Sequence, residues 1–344
     1  MIKPILLTCA ALFAAGTQLA TDYSADKGFK VEFESSLSMK TTSSSMERDG
    51  EPVEGRGMGG GASSQSRKAV YVDKIVAAKD GKPSKVTRAF ETLAGSSTTT
   101  RGEEERTTDL DPPLAGVTLS LERAENGDVT AKVVDGKAPS DDAALEGHHM
   151  ELALDALLPD GEVADGASWE PNKDAVRRAL MLDMEKALFP RPAPPEGEAG
   201  GGGGGGGRRG GFGGGGGDGR LLDMAEWEAK ATLTEEKAEK DGVACRVIAI
   251  ELKAKGDMPD PPMGGRRGQM FGNESDSAVF GNTYKIELEG KLYFSTAEKR
   301  PVALEVEGSM SQETDREFER EGSTTRMRST REGTYKQTVA ISRP

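Results

Sequence analysis

Two runs of alternating apolar residues meet at Lys79-Asp80-Gly81-Lys82, and this pattern constrains the fold most. Asp-Gly suits a type I′ turn, whose twist matches that of the strands it joins. Centring the turn there makes Tyr71 face Phe90, Asp73 face Arg88 and Ile75 face Val86. Apolar meets apolar and acid meets base, the pairing that stabilises a sheet. The pattern recurs at Asp241-Gly242, which would set Trp227 against Gly256, Ala229 against Ala254, Ala231 against Leu252 and Leu233 against Ile250. One blemish there is Lys237 opposite Arg246.

A third hairpin needs the three-residue loop Glu125-Asn126-Gly127. Only that length puts Val117, Leu119 and Leu121 on the face of Val129, Ala131 and Val133, with Gly127 supplying the left-handed conformation. Phe29, Val31, Phe33, Leu37 and Met39 alternate as a first strand of about 40 Å. The C-terminal hairpin can turn at Gly322-Ser323 as type II′. Leu304 then faces Ile341, Val306 faces Val339, Met310 faces Tyr335 and Phe318 faces Met327, while Glu317 faces Arg328 and Glu319 faces Arg326. Glu313 opposite Glu332 is its one conflict.

The middle of the chain has a helical period. Leu145, His149, Leu152 and Ala156 define a helix over 141–157. Val176, Leu180, Met184 and Leu188 define another over 173–189, with Asn172 as its cap and Pro190 beyond its end. The expected fold is mainly β (α+β): a long-stranded, curved antiparallel sheet or half-barrel of two meanders, with two helices from the middle. Ile75–Val86 around Asp80-Gly81-Lys82-Pro83 weakly echoes Phe294–Leu304 around Glu298-Lys299-Arg300-Pro301.

The first residues set the compartment. Lys3 precedes an apolar run from Ile5 to Gly16, and small and polar residues follow to Asp22. That is the layout of a secretory signal peptide, too short to span a bilayer. Cleavage is expected after Gly16 or Ala20, leaving an exported protein, periplasmic or extracellular, with no membrane span after signal removal. Residues 1–20 are read as the signal and 21–344 as a single two-halved β domain. Its parts are a first meander (27–138), a helical middle (141–189), a glycine-rich loop (190–219) and a second meander (220–341). Once Cys9 leaves with the signal, Cys245 has no disulfide partner, and its apolar strand marks it as a small buried hydrophobe.

Composition narrows the function. A net charge of −13 argues against nucleic acid, where affinity comes from neutralising phosphates. Aromatic residues at 5% are too few for the two girdles of a membrane barrel. Four low-complexity stretches are expected to be mobile insertions: Gly55–Gly61, Ser96–Pro113, Pro190–Gly219 and Asp257–Gly272.

The order of strand meander, helical middle, Leu158-Pro159 followed by Gly166-Ala167-Ser168-Trp169, and second meander resembles a group of uncharacterised exported bacterial proteins. Their architecture is similar to the half-barrels of lipoprotein carriers of the LolA/LppX type. The resemblance covers most of 27–341 outside the loops. It implies a concave, apolar-lined face able to hold acyl chains, and no catalytic residues.

The residues that invite catalytic readings have plainer ones. Gly166-Ala-Ser-Trp-Glu170 lacks the second glycine of a nucleophile elbow and follows a proline-containing loop. His148 and His149 point about 100° apart on a helix and have no further ligands to complete a zinc set. The expectation is His149 half-buried and His148 exposed. The acidic residues match no calcium loop. Arg208-Arg209-Gly-Gly-Phe212 has an RNA-binding flavour, but on an exported acidic chain it reads as a solvated loop. No metal or cofactor is expected, and the enzyme reading, a hydrolase, stands last. The first function reading is a non-enzymatic protein binding a lipid-like or other apolar ligand against Phe29, Val31, Phe33, Tyr71, Phe90, Leu288, Leu292 and Phe294. The alternative is a structural or protein-interaction module of the envelope in which the same residues form a filled core.

Overall fold

The computed structural model describes residues 16–53, 60–190, 218–258, 279–320 and 322–344. In chain order its strands are β1 (Thr17–Gln18), β2 (Gly28–Arg48), β3 (Glu51–Pro52), β4 (Gly61–Lys79), β5 (Lys82–Arg101), β6 (Glu104–Asp109), β7 (Thr118–Arg123) and β8 (Val129–Asp135). After the middle segment come β9 (Glu162–Val163), β10 (Ser168–Trp169), β11 (Trp227–Lys240), β12 (Val243–Asp257), β13 (Val279–Ser295), β14 (Arg300–Arg320) and β15 (Ser323–Ser342). Among the described residues one curved antiparallel sheet runs β10-β11-β12-β13-β14-β15-β2-β4-β5-β7-β8, with β3 on β2 and β6 on β5. The two meanders join through β15 on β2, so the last strand closes the seam with the first long one.

Register follows from the turns. Asp80 and Gly81 both have positive φ, as do Asp241 and Gly242, the type I′ signature. Tyr71 faces Phe90, Asp73 faces Arg88 and Ile75 faces Val86, as the alternation predicts. Leu119 faces Val133 and Leu121 faces Ala131 across the expected loop, with Gly127 at φ 92°.

Two hairpins correct the sequence expectation by two residues. Near Asp241-Gly242 the register is the expected one, with Lys237 opposite Arg246. An irregularity between Leu233 and Lys237 then makes Trp227 face Ala254, Ala229 face Leu252, Ala231 face Ile250 and Leu233 face Ile248. The irregularity sits where Arg246 donates to the Thr234 carbonyl and reaches Asp165, which draws its charge away from Lys237. In the C-terminal hairpin Arg320 pairs with Ser323, so Gly322 holds the second turn position at φ 77° instead of the first. Leu304 faces Val339, Val306 faces Gln337, Met310 faces Gly333 and Phe318 faces Thr325. The shift removes the Glu313–Glu332 conflict, setting those residues against Thr330 and Ser311, and places Glu317 opposite Arg326 and Asp315 opposite Arg328.

Curvature has a local cause. Gly308 lies between Leu288 and Tyr335, Gly290 faces Val306, and Gly333 lies between Met310 and Met39. Each glycine steps two residues along from the last, marking a diagonal across three strands. A Cβ on Gly290, Gly308 or Gly333 would fall 2.0, 1.9 and 1.9 Å from a neighbouring carbonyl oxygen, far inside contact distance. Only glycine permits that backbone approach, and a diagonal of such positions lets a sheet coil.

Beyond the core the strands carry few apolar residues and hold through hydroxyls. Ser309, Thr334, Ser38, Ser64, Thr98 and Thr107 face one another in a row across six adjacent strands. Ser38 bonds Thr334 at 3.0 Å and Thr98 bonds Thr107 at 2.9 Å. This overturns the expected mobility of Ser96–Pro113: Ser96 to Asp109 is a strand pair, because threonine suits a pleated surface and pairs across it. Most of the other three low-complexity stretches lies outside the described residues.

The middle is less regular than its period suggests. Residues 141–157 form two 3₁₀ turns, Asp142–Leu145 and Ala153–Leu157, instead of one helix. Gly147 breaks the run at φ 70°, where a Cβ would sit 2.7 Å from the Asp183 carbonyl oxygen. The second helix is split into α1 (Lys173–Ala179) and α2 (Leu182–Leu188) by Met181 at φ 59°. Asn172 caps α1 as expected, accepting from the Ala175 amide. A short α3 (Asp218–Met224) precedes β11.

Candidate functional site

The concave face is the natural place to look for a site, because strand alternation collects the large apolar residues there. Phe29, Val31, Phe33, Tyr71, Phe90, Leu288, Leu292 and Phe294 are all buried, none more than 5% exposed, and all belong to one core cluster. The Tyr71 and Phe90 rings meet at a tilt of 59° with centres 5.8 Å apart, and Phe90 meets the His148 ring at 6.1 Å. Against them lies the chain itself: Met150, Leu154 and Leu157 from the 3₁₀ segment, Val176 and Leu180 from α1 and its end, Met184 and Leu188 from α2. The eight residues come together, and the middle segment occupies the concavity they line.

Polar side chains on the same face hold that segment. Arg88 and Asp73 form a doubly hydrogen-bonded pair at 2.7 and 2.7 Å, with both side chains only 2% exposed. Arg88 also donates to the His149 carbonyl at 2.8 Å and lies 4.5 Å over the Tyr71 ring. Burial works against its charge, but the Asp73 carboxylate more than offsets this and holds the guanidinium protonated. Burial pushes the Tyr71 hydroxyl up to about 12. Gln337, fully buried, donates to the Ala179 carbonyl at 2.9 Å and accepts from the Tyr335 hydroxyl at 2.6 Å. Trp169 donates to the Leu157 carbonyl at 2.8 Å. The bonds to Ala179 and Leu157 satisfy carbonyls at the ends of α1 and of the second 3₁₀ turn, and the bond to His149 satisfies one in the link between the 3₁₀ turns. Sequence reasoning missed Gln337, although a glutamine alternating with Tyr335, Val339 and Ile341 was a signal. It saw the Asp73–Arg88 pair but not that the pair shares the inward face of Tyr71 and Phe90.

The histidines bear out the expectation for His149 and overturn it for His148. His148 is buried, its Nε2 on the Ala144 carbonyl at 3.0 Å, and burial lowers its pKa to about 4. His149 is half-buried as expected, 3.4 Å from Asp183. The break at Gly147 replaces the helical arrangement on which the expectation rested. Ser168 lies on an exposed strand pair and bonds the Thr232 hydroxyl at 2.8 Å. Cys245 is buried, and burial raises its thiol pKa. Among the described residues no group of three His, Cys, Asp or Glu side chains is placed to hold a metal.

The N-terminal segment docks on the middle as well. Thr21 donates to Asp155 at 2.6 Å, and the Tyr23 hydroxyl donates to the same carboxylate while accepting from the Leu152 amide at 2.6 Å. Burial raises Asp155 to about 6 despite these donors. Away from the concavity, a cleft of about 570 Å³ is lined by Lys173, Arg177, Asp223, Glu226, Asp257 and Tyr284 among others. Its charges pair with each other: Arg177 with Asp223 at 2.7 Å and Lys173 with Glu226 at 3.0 Å. None of the eight apolar residues lines it. The convex face is charged, with Lys68–Glu34, Lys85–Glu122 and Lys291–Glu236 pairs on exposed side chains.

No family model matches the chain, and no curated protein matches it. Among solved structures, the outer membrane protein OprG from Pseudomonas aeruginosa aligns with 94% of this chain and 99% of its own, at 8% identity and a TM-score of 0.22. A likeness at that score carries no conclusion. No helix among the described residues is long and apolar enough to cross a membrane.

Proposed function

We propose that this is an exported, water-soluble, non-enzymatic protein of the cell envelope, a structural or interaction module whose half-barrel is filled by its own middle segment. The observation that carries the reading is the set of inward polar side chains bonded to that segment's backbone: Arg88 to His149, Gln337 to Ala179 and Trp169 to Leu157. A face meant for acyl chains would leave these donors unpaired, at about 1–3 kcal/mol each. Water solubility is supported by the convex face, where lysine and glutamate stand at the positions that a membrane barrel gives to apolar residues. Export is supported by the N-terminal pattern, of which residues 1–15 lie outside the described residues. On this reading the resemblance to lipoprotein carriers does not extend to cargo. Lipid extraction and mass spectrometry of protein purified from the native host test the proposal. The expected result is lipid far below one molecule per chain; one lipid bound per chain would restore the carrier reading.

A further inference from the structure

The structure distinguishes between the two cleavage positions that the sequence leaves open. We infer that the mature protein is made by hydrolysis of the Gly16–Thr17 peptide bond, an inference that rests on the export reading. Residues 17–23 are held by contacts with the rest of the chain. Thr17 and Gln18 pair with Val163 and Glu162, and Leu19 is 2% exposed within the hydrophobic core. Thr21 and Tyr23 bond Asp155, and the Asp22 amide donates to the Lys299 carbonyl at 3.0 Å. A cut after Ala20 would discard β1 and a buried leucine, leaving β9 without its partner strand. A cut after Gly16 discards neither.

The chemistry of recognition agrees. Leader peptidases require small residues at the first and third positions before the cut. Ala14 and Gly16 meet that requirement, whereas a cut after Ala20 would place Gln18 at the third position. In the reaction, water adds to the Gly16 carbonyl carbon and the C–N bond to Thr17 breaks. Gly16 leaves as a carboxylate and Thr17 gains a terminal ammonium. That ammonium arises beside Glu162, whose Oε2 lies 3.1 Å from the place a Cβ would take on Gly16. Processing therefore sets a positive charge next to an acidic residue of the very strand that β1 pairs with.

Intact-mass and N-terminal peptide mass spectrometry of the protein from cell fractions of the native host test this. A chain beginning at Thr17 is expected. A chain beginning at Thr21, or one in the envelope fraction still carrying Met1, overturns the inference and leaves the export reading standing. Full-length chain found only in the cytosol overturns the export reading itself. Two variants sharpen the result: Gly16→Leu should accumulate the precursor, and Ala20→Leu should leave the Thr17 terminus unchanged. The opposite pattern overturns the assignment.

Discussion

Two buried groups of the middle segment titrate over the same pH range with opposite effects on stability. His148 is lowered by burial to about 4 from an ordinary 6.5. Between those values the unfolded chain binds the proton more readily, so stability rises with pH across that window. Asp155 is raised by burial to about 6 from 3.8. There the folded chain holds the proton more readily, so stability is present at low pH and falls as pH rises through about 6. At about 1.4 kcal/mol per pKa unit, each swing is about 3 kcal/mol, and the two nearly cancel. Carboxylates held below their ordinary values, such as Glu151 and Asp183, contribute only near the acid end. Urea unfolding at pH 4.0, 5.0 and 6.5 should therefore give the native protein a shallow profile. His148→Leu removes the rising part, and stability should fall by about 3 kcal/mol from pH 4 to 6.5. Asp155→Asn removes the falling part, and stability should rise by a similar amount. Parallel profiles for the two variants would refute the opposed titrations.

Gly308→Ala should cost about 2 kcal/mol or more, read by urea unfolding, because its Cβ meets the Glu287 carbonyl oxygen at 1.9 Å. A loss of under 0.5 kcal/mol would mean that the glycine diagonal does not set the curvature. In the C-terminal hairpin, cysteines replacing Glu307 and Lys336, which face each other, should form a disulfide on mild oxidation. The pair at Glu307 and Thr338, which the sequence register would favour, should not; the reverse outcome on non-reducing gels would show the observed pairing to be wrong.

What was legible in the sequence was whatever two neighbouring strands decide between themselves. Asp80-Gly81 and Glu125-Asn126-Gly127 fix registers locally, and both hold. The C-terminal hairpin went astray because a register of 645 and one of 643 in the summed residue numbers put the same side chains on the same faces; alternation alone cannot separate them. Gly308 and Gly333 make their close approaches to β13 and β2, contacts with strands outside the hairpin that no local pattern records. Of the four residues that the helical period at 141–157 marked, Leu152 is buried at 3% exposed, while Leu145, His149 and Ala156 are half-buried and Met150, Leu154 and Leu157 take the inward places. The backbone under it takes 3₁₀ turns because Gly147 must approach Asp183, a contact between distant parts of the chain. Alternation put the eight apolar residues on one face and left open whether a ligand or a filled core meets them, since the covering depends on how the middle segment folds back.

Whether that segment is a lid or a fixture is a matter of magnitude. Leu154, Leu157, Val176, Leu180, Met184 and Leu188 are each at most 2% exposed. Re-exposing one such side chain costs about 1.5–3 kcal/mol, so displacing all six costs roughly 10 kcal/mol or more. The bonds from Arg88, Gln337 and Trp169 to three backbone carbonyls would be lost as well. Such a total approaches the whole stability of an ordinary domain, about 5–15 kcal/mol. An acyl chain entering the vacated face would recover the apolar part only. It would leave the Arg88–Asp73 pair against hydrocarbon without the His149 carbonyl and Gln337 without Ala179, an unfavourable exchange for buried polar groups. Polar side chains spaced among apolar ones on the inner face fit a partner with carbonyls at fixed positions, and a peptide backbone supplies them where a lipid tail does not.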